Sequence, residues 1–410
     1  MIFVFLSRKL ITLDTILPLL HELKVSAPRT RVEFLCFDTA TERTIRENVV
    51  LYDLVQKLGC LRMIGRWNKR PLGMILHRIW ALGAMLRIAL WMLDPRSRLV
   101  HFKALNEWPL RLLHWLAPGR TVLVQPSALT FSELERKIDQ INKVRRYKEQ
   151  IPAAGCLVGF QSNWPPLSVQ ELENTPRYLV PEPYTLPNWR RYLRQAAPDY
   201  LQPIYEGFGG KPKSFAVFVL SSMDRAPMLS DPDSFPALFR ETLEILANAA
   251  PDLCLAVKPH PATVAATRSL IADALRSQRA AGQKVFETHL HPLLLAQEAN
   301  FFVANCFSHS LANAFAAGVP TIEYTRYSDE VLRHTGGGSF RPELVTHFIN
   351  GDAARLKSVV ADLTQTRPVS ALVGSIPITA GEPELTALLA YLDGGAARSA
   401  RPAGVKAYQH

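Results

Sequence analysis

Short apolar runs alternate with helix-like segments along most of this 410-residue chain. Strand-like runs occur in both halves, for example at residues 1–6 (MIFVFL) and 214–220 (SFAVFVL), and segments with helical spacing of apolar residues follow them. A strand, a crossover helix and a further strand together produce a parallel sheet covered by helices. The alternation therefore predicts an α/β fold, and the 30 prolines disfavour a helical bundle.

The length of the chain predicts more than one domain, because a single hydrophobic core rarely grows beyond about 250–300 residues. Gly and Pro cluster at residues 203–213, which marks a candidate boundary. We predict a Rossmann-like domain over residues 1–205, a second Rossmann-like domain over residues 211–393, and a flexible tail over residues 394–410. Two such domains would face each other across a cleft.

The positive charge is concentrated in one part of the sequence. The formal net charge is +11, and residues 51–150 alone hold 18 basic and 7 acidic side chains, whereas residues 201–410 hold 18 and 19. The basic half is therefore expected to meet an anionic partner, and nucleic acid, anionic lipid and a phosphorylated substrate all satisfy that requirement. Nucleic acid is disfavoured because the basic residues surround an apolar segment and do not alternate with stacking aromatics.

That apolar segment covers residues 72–93 (LGMILHRIWALGAMLRIALWML), within a basic and apolar stretch at residues 66–98. Its length would span a bilayer as a helix, but His77, Arg78 and Arg87 lie inside it, and charges at mid-bilayer are costly. A buried helix and a helix lying on the membrane surface are the two alternatives that stay open. We predict a membrane-proximal role for residues 66–98.

The cysteines and the first residues predict a cytoplasmic protein, peripheral on the inner membrane if the apolar segment binds lipid. Five cysteines stand far apart without a metal-binding spacing, which is typical of reduced, buried thiols. Residues 1–6 lack the basic start and the cleavage site of a signal peptide.

The first motif with chemical potential is Lys258-Pro259-His260-Pro261, at the end of a predicted strand. Ligands of open parallel sheets bind beyond the carboxyl ends of the strands. The prolines stiffen the turn, Lys258 adds positive charge, and His260 can donate a hydrogen bond or a proton. This combination suits a phosphate group or a departing nucleotide.

A second polar motif, Asn305-Cys306-Phe307-Ser308-His309-Ser310, follows another predicted strand and begins a helix. A serine at a helix start caps the free backbone amides, and those amides together with the hydroxyl form an anion site. The sequence therefore predicts two phosphate-binding motifs in the same domain.

The two motifs together resemble those of nucleotide-sugar-dependent glycosyltransferases of the GT-B fold. The run KPHP, followed about 50 residues later by NCFSHSLANAFAAGVPTIEY, is most similar to the HP and serine motifs of bacterial capsule and lipopolysaccharide enzymes. These include the CMP-dependent sialyltransferases, the Kdo transferases and the CDP-glycerol polymer transferases. The motifs cover residues 253–324 only, and the N-terminal half matches by its architecture.

The resemblance implies a nucleotide-sugar donor bound by the second domain, with Lys258 and His260 at its phosphate and Ser308 and Ser310 at the helix start. Many GT-B enzymes bind the ribose through an acidic residue of this helix, where the present chain has Asn313. The remaining predicted nucleotide contacts are neighbours of these motifs or lie at other strand ends: Ser221, Ser222, Pro261, Asn305, His309 and Glu323.

The acceptor is expected to bind the first domain, where a carboxylate would take the proton of the acceptor hydroxyl. Asp38 and Glu107, at predicted strand ends, are the candidates for this base, with His260 as the third candidate catalytic residue. No cofactor and no metal are expected. We read His289 and His291 as loop residues.

The predicted function is transfer of a sugar from a nucleotide donor, most simply CMP-linked, to a bacterial surface polysaccharide or a lipid-linked acceptor. CMP has one phosphate, which a single Lys/His/Ser site can stabilise. The alternatives are a CDP-glycerol-type transferase, an enzyme like the UDP-sugar 2-epimerases, and a nucleotide-binding pseudoenzyme. An epimerase would need catalytic carboxylates in the second domain, and the sequence shows none at a convincing position.

Overall fold

The computed structural model describes residues 1–6, 10–36, 39–63, 71–102, 113, 116–125, 155–160, 175–220, 228–231, 234–250, 252–260, 265–365 and 382–396. The chain forms two compact units. The first unit contains Met1–Trp189 together with Pro377–His410, and the second unit contains Arg190–Ile376.

The first unit is built on a seven-stranded parallel sheet with the order β3-β2-β1-β4-β5-β6-β7. Its strands are β1 (Ile2–Leu6), β2 (Val32–Cys36), β3 (Cys60–Met63), β4 (Arg98–His101), β5 (Thr121–Val124), β6 (Cys156–Phe160) and β7 (Arg177–Val180). The helices described up to the end of this sheet are α1 (Leu10–Ser26), α2 (Thr39–Glu47), α3 (Val49–Leu58) and α4 (Pro71–Trp91). The helix α5 (Pro187–Glu206) begins in the first unit and continues in the second.

The second unit is built on a six-stranded parallel sheet with the order β10-β9-β8-β11-β12-β13. Its strands are β8 (Ser214–Val219), β9 (Leu253–Lys258), β10 (Val285–Glu287), β11 (Phe301–Ala304), β12 (Thr321–Thr325) and β13 (His347–Asn350). Its further helices are α6 (Phe235–Ala249), α7 (Ala265–Ala280), α8 (Pro292–Leu295), α9 (His309–Ala316), α10 (Asp329–His334) and α11 (Ala353–Gln365). The last helix of the chain, α12 (Glu382–Leu392), groups with the first unit.

Both sheets have the Rossmann strand order, with the first strand of each unit in the middle and the order reversing beside it. The central strands are buried on both faces, which explains why they read as continuous apolar runs in the sequence. The prediction of two Rossmann-like α/β domains is confirmed.

The boundary differs from the predicted one, which ended the first domain at residue 205. The start of α5 is held in the first unit, where the backbone N–H of Asn188 donates to the carboxylate of Glu22 at 2.8 Å. The rest of α5 packs on the second unit, where Tyr205 contacts Phe215 edge to face. The units therefore divide at Trp189, inside a helix that no composition signal interrupts.

The C-terminal helix α12 also differs from the prediction, which placed residues 211–393 in one domain. Glu384 accepts a hydrogen bond from the backbone of Leu179 in β7, and the Tyr391 hydroxyl donates to the carbonyl of Gly119 at 2.7 Å. These contacts attach α12 to the first sheet. Of the predicted tail, residues 397–410 lie outside the described residues.

Helix α4 corresponds to the predicted apolar segment, and one of its faces packs on the first sheet. Met85, Ile88 and Met92 are buried in a cluster that includes strand residues of β1, β2 and β4. Arg87, inside the apolar segment, pairs with the carboxylate of Glu33. Among the described residues, no helix combines the length and the apolar character needed to cross a membrane.

Candidate functional site

The candidate site lies at the carboxyl edge of the second sheet, where β8 and β11 flank the reversal of strand order. Ligands of doubly wound sheets bind at this point. The backbone register pairs Val219 of β8 with Lys258 of β9 on one side and with Ala304 of β11 on the other. The backbone N–H of Leu220 donates to the carbonyl of Lys258 at 3.0 Å. The KPHP and serine motifs therefore begin on either side of β8, at the same edge.

The KPHP motif ends β9, which is buried as far as Val257 and turns outward at Lys258. Lys258 and His260 are both partly exposed, and the intervening Pro259 is buried. Burial of the proline fixes the turn, because its ring restricts the backbone and packs into the fold. The two polar side chains are thus held at the edge of the sheet on a rigid turn.

The serine motif forms the start of α9, as the sequence predicts. Ser308 is the N-cap, with extended backbone angles, and its hydroxyl accepts a hydrogen bond from the backbone N–H of Ser310 at 3.4 Å. Ser308, His309 and Ser310 are partly exposed. A capped helix start with accessible serines presents backbone amides and the positive end of the helix dipole to an anion.

His291, which we expected to be a loop residue, is a further residue of this site. It is the N-cap of α8, and its Nδ1 accepts a hydrogen bond from the backbone N–H of Leu293 at 3.2 Å. Burial, with smaller contributions from the charges of Lys258 and His309, lowers the pKa of His291 to about 3. The ring is therefore neutral, and because Nδ1 accepts, its proton is on Nε2.

The charged and polar side chains at the ends of β9, β10 and β11 are close enough to shift one another's pKa values. Burial of its ring, with a smaller contribution from the charge of Arg341, lowers the pKa of His309 to about 4. The Arg341 side chain is about one-fifth exposed and pairs with Glu343. Among the described residues, positive charge at this edge thus comes from Lys258 and Arg341, while His291 and His309 contribute polar groups without charge.

A sequence signal for His291 was present in the His-Pro dipeptide before an apolar run, which is typical of an N-cap followed by Pro at the first helical position. His289, by contrast, is half exposed, and its Nε2 lies 3.4 Å from a carboxylate oxygen of Glu287. The two histidines therefore lie in different surroundings, although they are only two residues apart in the sequence.

Glu323, a predicted nucleotide contact, is fully buried within β12. The hydroxyl groups of Tyr327 and Ser339 each donate to one of its carboxylate oxygens. Tyr327 in turn accepts from the backbone N–H of Phe307 at 3.2 Å, and Ser339 accepts from that of Arg341 at 3.2 Å. Glu323 thus supports two loops of the site and has no exposed surface for a nucleotide. Burial raises its pKa.

The two asparagines of the predicted site are also engaged within the fold. The amide nitrogen of Asn305 donates to the Thr242 hydroxyl at 2.8 Å and to the Tyr324 carbonyl at 3.3 Å. The amide nitrogen of Asn313 donates to the carbonyl of His309 at 3.1 Å, and the residue is 5% exposed. Both side chains fix the shape of the serine motif from inside the unit.

Five predicted residues lie outside the described residues: Asp38, Glu107, Ser221, Ser222 and Pro261. Their predicted roles stay predictions.

Among the residues that the structure describes, no group of three or more His, Cys, Asp or Glu side chains could hold a metal ion. The expectation of no metal was based on the absence of an Asp-x-Asp motif, and this basis is wrong, because residues 231–233 (Asp-Pro-Asp) have that spacing. Asp231 is exposed, and its carbonyl accepts from the Ser234 hydroxyl at 2.6 Å. The remaining two residues of the triplet lie outside the described part, and metal independence stays a prediction.

Comparison with known proteins identifies the fold. No family model and no curated protein matches the chain. The solved structure of Arabidopsis thaliana UGT89C1 complexed with quercetin is 10% identical, with a TM-score of 0.51 over 96% of this chain and 99% of that one. The UDP-GlcNAc 2-epimerase from Methanocaldococcus jannaschii is 12% identical, with a TM-score of 0.50 over 90% and 92%. Together with the two parallel sheets, these similarities show the GT-B fold, two Rossmann-like domains in one chain.

Proposed function

We propose that this protein is a glycosyltransferase that uses a nucleotide-activated sugar and binds the donor phosphate at the carboxyl edge of the second sheet. One observation carries the proposal. Lys258 ends β9 and His260 follows it, and the Ser308-capped start of α9 follows β11, on either side of the same central strand. Such a site offers a cation, a hydrogen-bond donor and helix amides, which are the groups that stabilise a departing phosphate.

The donor is proposed to be CMP-linked, with a sugar of the Kdo or sialic acid type. Within the described part of the site few groups are positive, since burial keeps His291 and His309 neutral. A leaving group with a single phosphate matches this limited charge. His260 would donate a hydrogen bond or proton to that phosphate as the bond to the sugar breaks.

The acceptor is proposed to be a bacterial surface polysaccharide or a lipid-linked sugar that binds the first unit. Asp38 or Glu107 would take the proton of the acceptor hydroxyl as it attacks the sugar. No step of this proposal needs a metal ion. The basic character of residues 51–150 suits an acceptor with anionic groups at a cytoplasmic membrane surface.

An epimerase is the second candidate, because the similarity in fold to the archaeal UDP-GlcNAc 2-epimerase has about the same score as that to the plant protein. Moving a proton at a sugar carbon requires an accessible base. Glu323, the carboxylate on β12 at this edge, is buried and accepts two hydroxyl hydrogen bonds. This arrangement favours the transferase. A CDP-glycerol-type transferase and a pseudoenzyme remain as outcomes of the experiments below.

Nucleotide binding tests the site directly. Thermal stability of the full chain would be measured with CMP, CDP, UMP and UDP, and we expect the largest increase with CMP. Lys258→Ala should weaken CMP binding by about tenfold, since it removes the cation at the edge. Lys213→Ala is the matched control, because Lys213 is exposed and precedes β8 at the opposite edge of the same sheet. Absence of stabilisation by every nucleotide would refute the proposal.

Ser308 allows a test that separates its structural role from binding. Ser308→Asp keeps a capping oxygen at the start of α9 but places a negative charge where the phosphate would bind. We expect near-normal thermal stability and a loss of CMP binding. Normal CMP binding by this variant would show that the phosphate binds elsewhere.

Activity distinguishes the remaining candidates. Incubation with CMP-, CDP- and UDP-linked donors and with extracted lipid-linked acceptors should yield a transferred sugar and free CMP. An isomerised UDP-sugar without transfer would identify an epimerase, and nucleotide binding without any turnover would identify a pseudoenzyme. His260→Ala should abolish transfer while the protein remains folded.

A further inference from the structure

The outward face of α4 is an exposed apolar stripe. Ile79, Leu82, Leu86 and Leu90 lie within about 80° of one another around the helix axis, and Leu93 follows just beyond the helix end. Their exposed fractions are 59%, 44%, 56%, 68% and 77% in sequence order. The opposite face of the helix is buried against the first sheet. Soluble proteins rarely leave a contiguous apolar stripe of this kind in water.

A surface pocket of about 590 Å³ opens beside the C-terminal end of this stripe. Three exposed arginines, Arg29, Arg31 and Arg96, contribute to its lining, together with Trp91. Trp91 is the last residue of α4 and is 42% exposed. Trp91 therefore places the pocket at the C-terminal end of the helix that carries the stripe.

Two carboxylates also line this pocket, and both are engaged by other groups. Asp393 accepts a hydrogen bond from the Thr30 hydroxyl, and Asp94 accepts one from the backbone N–H of Arg96 at 2.9 Å. Within the described part of the chain, neither carboxylate forms an ion pair with a pocket arginine. The guanidinium groups are thus available to an anion from outside.

The pocket lies at the amino edge of the first sheet. Its residues precede β1, β2 and β4, which begin at Ile2, Val32 and Arg98. Ligands of Rossmann-like domains bind at the carboxyl edge. The stripe and the pocket therefore form a surface separate from a substrate site of that kind.

We propose that the apolar stripe of α4 and the arginine pocket beside it bind the surface of an anionic lipid bilayer. The leucines and Ile79 would enter the boundary between headgroups and acyl chains, with the helix parallel to the membrane. The three arginines would bind lipid phosphates. A bilayer offers both apolar chains for the stripe and a layer of negative charge for the arginines.

Co-sedimentation of the full chain with vesicles tests this surface. Vesicles of phosphatidylcholine alone and of phosphatidylcholine with phosphatidylglycerol would be compared, and we expect binding that depends on the anionic lipid. Arg29→Gln combined with Arg31→Gln should weaken binding to anionic vesicles roughly 25-fold, since each basic residue contributes about fivefold near such a surface. Arg276→Gln is the matched control, because Arg276 is 78% exposed in the second unit.

A second variant tests how much the apolar stripe contributes to vesicle binding. Leu86→Glu combined with Leu90→Glu should reduce binding at least about thirtyfold, since two inserted leucines are lost. Val49→Glu is its control, because Val49 is 44% exposed on α3. Far-ultraviolet circular dichroism and thermal melts would show that each variant is folded.

Three results would overturn the proposal. Equal binding to neutral and anionic vesicles would remove the role of the arginines. Undiminished vesicle binding by the Leu86/Leu90 variant would remove the role of the stripe. Conversion of an oligomer to a monomer by that variant, without loss of vesicle binding, would identify the stripe as a contact with a second copy of the chain. Nucleotide-induced stabilisation is measured separately, so failure here leaves the proposed function standing.

Discussion

Replacement of Tyr327 by phenylalanine tests whether Glu323 supports the serine motif through hydrogen bonds. The Tyr327 hydroxyl accepts from the backbone N–H of Phe307 and donates to the carboxylate of Glu323. The ring packs edge to face on Phe340, with centroids 5.5 Å apart, and stacks on Phe348. Tyr327→Phe removes one oxygen and leaves these ring contacts in place.

The expected loss of stability follows from the two hydrogen bonds. A bond from a backbone amide contributes about 1 kcal/mol, and one to a charged group contributes about 1.5–3 kcal/mol. Both partners stay buried in the variant, so neither regains water. We therefore expect the free energy of unfolding to fall by about 3 kcal/mol. CMP binding should weaken as well, because Phe307 immediately precedes the capping Ser308.

Tyr205→Phe provides a matched control in the same unit. Tyr205 is 3% exposed, and its ring contacts Phe215, but its hydroxyl has no hydrogen-bond partner in the described structure. Removing that hydroxyl should leave stability unchanged or raise it slightly. Urea unfolding followed by circular dichroism would compare the two variants with the wild type.

Equal effects of the two substitutions would refute this reasoning. A small loss for Tyr327→Phe with unchanged CMP binding would show that the Phe307 backbone holds its position without the Glu323 network. A large loss for Tyr205→Phe would show that removing a buried hydroxyl destabilises this unit even without a hydrogen-bond partner, and would contradict the assignment of the Tyr327 effect to its hydrogen bonds.

Three further predictions follow from the buried polar groups. Because burial raises the pKa of Glu323, the folded state binds more protons than the unfolded state above about pH 4.5. The free energy of unfolding should therefore fall as the pH rises from about 4.5 through the folded-state pKa. Glu323→Gln should remove most of this pH dependence. The pKa of His291, lowered to about 3, means that stability should fall as pH drops below the unfolded value near 6.5; His291→Asn, which can still cap α8, should reduce this acid sensitivity. Arg98 is 3% exposed, donates to the Tyr391 and Gly395 carbonyls and lies over the Tyr391 ring at 4.4 Å. Arg98→Lys should therefore lower the free energy of unfolding by about 2–4 kcal/mol. It should also speed hydrogen exchange in α12.

Most central strands could be predicted because a strand buried on both faces has an uninterrupted apolar sequence. Strands such as β9 and β11 are enclosed on both faces, and only an uninterrupted apolar run is compatible with that position. Two of the edge strands, β3 and β13, lack such an apolar run and were not predicted. Residues of β3 alternate between exposed and half-buried, so its four residues resemble a loop.

The strand-tip motifs were found for the same kind of reason. Polar residues directly after a buried strand are visible in the sequence, and so is the serine that caps α9. The partners across the site were not visible. His291 and Arg341 reach it from loops after other strands, and Glu323 looked like a ligand contact until its burial and its hydroxyl partners were known.

The sequence by itself determined the α/β class, the pair of Rossmann-like domains and the two polar motifs, because periodicity and strand-end composition are local properties of the chain. Only the tertiary structure decided which residues share a site, where α12 belongs and which face of α4 remains exposed. Those outcomes depend on contacts between residues far apart in sequence. Arg98 and Tyr391 are nearly 300 positions apart, yet they meet in one buried contact.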